Sequence, residues 1–201
     1  SFDESRRRRG DDVDAPRRTS PRRRRGNSIR DRLRYLTGHG GDEFLKFHDA
    51  DELSANEVAD ALAEMRAKRR YGRLVLMVDT CQAGSLFNYL DAKTTPRVLG
   101  IASAKVGENA YAGSSDADAG VAYADRFTEA AVEWLERAEP DATWGDFADA
   151  LDRAPTRSTL TIHDGAWATA DWRTMPLRAF FGAPDGHRLS AWPPPRVAGA
   201  R

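Results

Sequence analysis

The chain has 201 residues, of which 40% are hydrophobic, and 31 basic residues balance 31 acidic ones to a formal net charge of zero; this suits one α/β domain with a core of ordinary size and argues against two independent domains. A single cysteine excludes an internal disulfide and leaves three roles for the thiol: buried and inert, bridged to another chain, or a reactive nucleophile. No window reaches the roughly 18 to 20 apolar residues that cross a bilayer, and the opening SFDESRRRRG has no apolar signal core, so the chain reads as soluble, while its start at Ser1 marks processing or a fragment.

The neutral total hides an asymmetry. Residues 1–34 hold 13 Arg against 6 Asp and Glu, leaving 18 basic against 25 acidic residues beyond them. Runs such as Arg6–Arg9 and Arg22–Arg25 suit anionic partners. No aromatic is interleaved in them to stack bases, so residues 1–29 read as a solvated, self-repelling disordered arm or loop, and no nucleic acid is expected as a partner.

From Arg32 the texture changes. RLRYLTG is a short strand ending in the turn GHGG, where glycines adopt left-handed backbone angles and bring amides close to a ligand. FLKF (Phe44–Phe47) is a short hairpin arm. Ser54-Ala55-Asn56-Glu57 is a capping box opening a helix, along which Val58, Leu62 and Met65 form one apolar stripe. AKRRYG ends that helix with positive charge at its C-terminal dipole and a glycine stop.

LVLMV (Leu74–Val78) is apolar without alternation, as in a central parallel strand covered on both faces. Strand, helix, strand at this spacing predicts a right-handed βαβ crossover, which brings both strands' carboxyl ends to one sheet edge. RVLGIAS (Arg97–Ser103) is a third strand. Ala122 to about Ala138 is a helix with Phe127, Ala131 and Leu135 on one face, followed by a helix over Trp144–Leu151 and a late strand over Arg157–Ile162. Residues 183–201 form a Pro-rich, extended tail.

His39 thus follows the first strand and Cys81 the second, at the rim where open α/β sheets gather ligands and catalytic groups. A thiol titrating at about 8.5 is mostly protonated at neutral pH, and a neighbouring imidazole raises its thiolate fraction. Backbone amides in the Gly-rich turn, with that of Cys81, are placed to hold an oxyanion. Taken singly, a histidine in such a turn is a satisfied loop residue and a lone cysteine is inert; together at adjacent strand ends they read as a dyad. His48 with Asp49, Asp51 and Glu52 reads as a solvated acidic cluster rather than a metal site. His163-Asp164 reads as a loop after the late strand rather than a second catalytic pair, and His187 falls in the tail.

The stretch YLTGHGGDEFLKFHDADELSANEVADALAEMRAKRRYGRLVLMVDTCQAGSLF resembles the catalytic subunits of glycosylphosphatidylinositol (GPI)-anchor transamidase, legumain-like cysteine peptidases of family C13 with a caspase-like fold. Its marks are the TGHGG turn, the FLKF arm, KRRY before the nucleophile strand, and DTCQA. The likeness continues through IASAKVGENAYAGSSDADAGVAYADRFT to LRAFFG, covering roughly residues 30 to 182. It implies a three-layer α/β/α sandwich with a mainly parallel central sheet lacking its N-terminal strand. In that fold His39 is the general base, Cys81 the nucleophile, and the Gly40 and Cys81 amides the oxyanion donors. Ser103 and Glu108 line the substrate pocket, and neither metal nor cofactor is called for. The implied partners are the C-terminal signal of a proprotein, the GPI lipid and other transamidase subunits, in the endoplasmic reticulum lumen with membrane association through those subunits.

Departures from the family are an arginine-rich head where a long segment normally precedes the TGHGG strand, a more charged DRLRYLTG strand, no terminal membrane helix, His48 for Gln and Ala104 for Ser. Two other readings stand beside this one: a legumain-like cysteine endopeptidase in which water resolves the acyl-enzyme, and a non-catalytic binding module with a basic arm.

Overall fold

The computed structural model describes residues 30–48, 50–113, 124–167 and 171–181; the arm over 1–29, the tail over 183–201 and His187 lie outside them. In chain order the elements are β1 (Arg32–Thr37), β2 (Gly40–Gly41), β3 (Phe44–Phe47), β4 (Asp51–Ser54), α1 (Ala55–Ala67) and β5 (Leu74–Asp79). A 3-10 turn (Ala83–Phe87), β6 (Val98–Ala102), α2 (Arg126–Arg137), α3 (Trp144–Asp152), β7 (Thr161–His163), a second 3-10 turn (Trp172–Thr174) and α4 (Arg178–Phe181) complete the order.

The main sheet runs β1-β5-β6-β7, with β1, β5 and β6 parallel and β7 antiparallel. All six residues of β5 are buried. Alternation along the strand sends Leu74, Leu76 and Val78 into one core, with Val58, Leu62 and Phe87. Val75 and Met77 enter the other, with Phe127, Trp144 and Phe147. Two cores, α1 on one face and α2 and α3 on the other, make the three-layer α/β sandwich, and a strand covered twice has no room for a polar alternate residue. Gly100 in β6 has a packing reason: a Cβ there would meet the Phe87 ring at 2.8 Å.

Strands β2, β3 and β4 form a separate antiparallel sheet that leads into α1. The capping box at Ser54 is present: Glu57 N–H donates to Ser54 Oγ at 3.2 Å, and Ser54 N–H to Glu57 Oε2 at 2.9 Å. Met65 packs partly buried beside the buried Val58 and Leu62.

Three boundaries differ from expectation. Helix α1 stops at Lys68 and not at a glycine, because Arg70 N–H turns back to Met65 O at 2.8 Å and Arg69 takes φ 52. That leaves Gly72 free to start the next strand, bonded to Arg30 O at 2.9 Å. The late strand begins at Thr161, since Arg157 at φ 66 breaks extension and Ser158 and Thr159 bond to the segment after β6; His163 is consequently the last strand residue and lies outside any loop. Helix α2 begins at Arg126 after Asp125 as N-cap, so its expected start at Ala122 falls outside the described residues.

Leu76→Ala empties space at the centre of the first core, where Leu76 is 2% exposed, and should lower unfolding free energy by about 2–5 kcal/mol. Ser54→Ala, which removes only the cap, should cost about 1 kcal/mol. Denaturant unfolding of the two variants checks the ratio.

Candidate functional site

Thr37, the last residue of β1, stands opposite Asp79, the last of β5. Two residues beyond each strand stands a candidate reactive side chain: exposed His39 and half-buried Cys81. Gly38, at φ +145, makes the exit from β1 that a side chain would strain. The His39 turn is then held from both sides, by Gly38 N–H to Asp79 O at 3.3 Å and Lys46 N–H to His39 O at 2.8 Å. Gly40 lies against the residue before the cysteine: a Cβ on it would meet Thr80 Oγ1 at 2.5 Å and the Phe44 carbonyl at 2.7 Å.

The turn after β5 is unusual in its backbone. Gln82 takes φ 55, left-handed for a residue with a side chain. Its N–H donates to Glu108 O at 2.8 Å, its Oε1 accepts Gly107 N–H at 3.0 Å, and its carbonyl accepts Ser85 N–H at 2.9 Å. Such a conformation persists where surroundings over-determine it, as in turns that aim a reactive group. Cys81 Sγ, the free thiol, lies 4.0 Å from Ala110 O.

Segment 103–110 wraps this turn and contains both expected pocket residues. Ser103 is 1% exposed; its hydroxyl faces Thr80 O at 3.4 Å, and its carbonyl accepts from Ser158 Oγ at 2.6 Å. The Glu108 carboxylate accepts from Thr159 N–H at 2.8 Å and Thr159 Oγ1 at 2.9 Å, and pairs with Lys105 Nζ at 3.2 Å. The Thr159 amide, helped by its hydroxyl and Lys105, holds this carboxyl down at about 2. Both side chains are turned toward the scaffold, and Glu108 touches the cysteine turn through its main-chain carbonyl.

A polar cluster missed in the sequence closes the same end of β5. Asp79 is fully buried; Oδ2 accepts from Thr128 Oγ1 at 2.5 Å and from Tyr35 OH at 3.4 Å, while Oδ1 has no partner among the described residues. The Tyr35 and Thr128 hydroxyls also touch each other. Burial raises the Tyr35 phenol, and the charge of Asp79 adds to it. Asp125, the N-cap of α2, has its carboxyl raised by burial and by Asp79, with His39 pulling it back. The available signal was a charged residue closing an otherwise apolar run, two positions before the cysteine.

Elsewhere, His48 is exposed at φ 52 with its ring against Phe47, and the described residues contain no group of three or more His, Cys, Asp or Glu able to hold a metal. His163 packs on Phe87, and Asp164 accepts from Trp172 Nε1 at 3.1 Å, so both side chains are engaged in the scaffold.

Fold and turns together define a caspase-like α/β domain that sets a histidine and a cysteine at neighbouring strand ends. The chain belongs to the Peptidase C13 family, whose model matches residues 30–182. A Drosophila melanogaster relative is 41% identical over 160 residues, 79% of this chain and 44% of its own length. The GPI-anchor transamidase of Schizosaccharomyces pombe is 42% identical over 132 residues, 66% of this chain and 30% of its own. That of Saccharomyces cerevisiae is 40% identical over 109 residues, 54% and 26% respectively. The chain spans less than half the length of these curated relatives. Among the described residues no helix is long and apolar enough to cross a membrane.

The geometry of these turns can be tested at two positions. Gly40→Ala forces Thr80 or the β3 backbone to move and should destabilise the fold by about 1–3 kcal/mol, read by thermal unfolding. The Glu108 carboxyl titrates at about 2 in the fold against 4.5 when free, so its stabilisation is complete above pH 4.5 and fades as the pH falls toward 2. Glu108→Gln should therefore melt below the wild-type chain near neutrality, with the gap closing on acidification; a gap independent of pH would contradict the assignment.

Proposed function

We propose that this chain carries the catalytic domain of a cysteine-dependent GPI-anchor transamidase. The observation that supports it most is the register pairing Thr37 with Asp79, from which His39 and Cys81 each stand two residues beyond. Membership of a cysteine-peptidase family and the names of the yeast relatives give the same direction.

In this reading His39 takes the thiol proton and the Cys81 sulfur attacks the carbonyl of the attachment residue in a proprotein's C-terminal signal. The oxyanion lies between the Gly40 and Cys81 amides. As the tetrahedral centre collapses, the C–N bond breaks, His39 returns the proton to the departing amine, and a thioester remains. The ethanolamine amine of the GPI lipid then attacks the thioester, gives up a proton to His39, and frees the thiol as the new amide forms. Ser103 and Glu108 support the substrate cleft by fixing the wall beside Cys81. The reaction belongs in the lumen of the endoplasmic reticulum, with membrane attachment through other transamidase subunits.

Cys81→Ala and His39→Ala should each remove acyl transfer to a hydroxylamine acceptor from a signal-peptide substrate, with the substrate still bound. Retained hydroxamate formation in either variant would sink the dyad. In the wild-type chain, free acid as the sole product in the presence of hydroxylamine would instead identify a hydrolase.

A further inference from the structure

Ser85 is fully buried and lies in the 3-10 turn beyond both His39 and Cys81. Its Oγ accepts Glu43 N–H at 2.7 Å and lies 2.8 Å from Gln82 O and 3.3 Å from Gly41 O. A hydroxyl has one proton, so it donates chiefly to Gln82 O with Gly41 O as the long arm, while a lone pair receives the Glu43 amide. These three backbone groups come from the two segments that carry the dyad. Gln82 directly follows Cys81; Gly41 and Glu43 close the turn that began at His39. Both Gln82, at φ 55, and Glu43, at φ 61, hold left-handed angles that relax unless something restrains them.

The surroundings reinforce this grip. The Glu43 carboxylate accepts from Asn88 Nδ2 at 2.7 Å and Tyr89 OH at 3.1 Å, both just beyond the same 3-10 turn. Glu43 O accepts Ala55 N–H at 2.8 Å, tying the arm to the first residue of α1. Ser85 is the buried member of the set, and among these contacts it alone touches both turns.

We infer that Ser85 is a positioning residue whose hydroxyl fixes the spacing of the His39 turn relative to the Cys81 turn. The inference rests on the dyad reading above. Ser85→Ala, which removes the hydroxyl and leaves only a methyl group, strips the Glu43 amide of its acceptor and leaves Gln82 O with the Ser85 N–H alone, and the two turns then relax separately.

Because Cys81 is the single thiol of the 201-residue chain, its alkylation by iodoacetamide as a function of pH reports the dyad directly. With the dyad in place, His39→Ala should slow that alkylation at about neutral pH. Ser85→Ala should slow alkylation at about neutral pH by roughly tenfold or more and bring its pH profile to that of His39→Ala, while Ser85→Thr, which keeps the hydroxyl, restores most of the rate. A Ser85→Ala variant that melts lower yet keeps the wild-type pH profile overturns the inference, since the hydroxyl then serves stability alone. A wild-type profile indifferent to His39→Ala removes the dyad reading and this inference with it, a result distinct from the former. If Ser85→Ala does not fold, amide exchange in the wild-type chain decides: a protected Glu43 N–H is expected, and exchange at the rate of an open loop overturns the assignment.

Discussion

Parallel strands can exchange relative register only by breaking every bond of the ladder between them, and here the ladder between β1 and β5 determines where His39 and Cys81 emerge. Six successive pairs run from Arg32 and Leu74 to Thr37 and Asp79. Both strands therefore leave the sheet at one level. The register is held because β5 is buried on both faces: a slip of one residue would move Leu76 and Val78 out of the α1 core and into the aromatic core around Trp144. It would also shift His39 along Cys81 by about 3.3 Å, beyond the tolerance of a proton shared between two side chains. Hydrophobic packing in the centre of the sheet thus sets the precision of the proposed chemistry at its rim.

Much of this architecture could be read from the chain itself. The unbroken apolar run Leu74–Val78 marks a doubly covered strand, the Ser54 box marks a helix start, and turns after two adjacent strands deliver an imidazole and a thiol. The unreadable parts share one cause: they are hydrogen bonds between segments distant in sequence. Ser103 with Ser158, and Glu108 with Thr159, are partners that no local pattern announces. The same bonds shorten the late strand, because residues committed to the cysteine turn cannot also extend β7. Arg69 was equally hidden, since nothing in an arginine's own chemistry announces the left-handed φ of 52 with which the chain leaves α1 ahead of the buried Tyr71.

At the carboxyl end of β5 the fold accepts an unfavourable arrangement. Asp79 is enclosed with one oxygen unpartnered among the described residues, and a buried acceptor left in that state costs on the order of 1–3 kcal/mol. Asp125 nearby is raised by burial and by its neighbour's charge, so the fold disfavours its ionised form. Two hydroxyls, from Tyr35 and Thr128, offset part of this at Asp79, and the nearness of His39 offsets part of it at Asp125. Local rules of satisfaction and charge separation are broken at the place where the sheet presents its histidine and cysteine, which is where such violations concentrate in functional proteins.

Gly100 and Phe87 show how far the same rigidity extends from the rim. The aromatic ring of the 3-10 turn rests on the bare backbone of β6, filling space that a methyl group would claim. The two positions therefore act as one steric unit, in which bulk given to one must be surrendered by the other. A side chain added at Gly100 alone would push the turn carrying Ser85 away from the sheet, whereas a smaller residue at position 87 alone would leave a void over the β6 backbone.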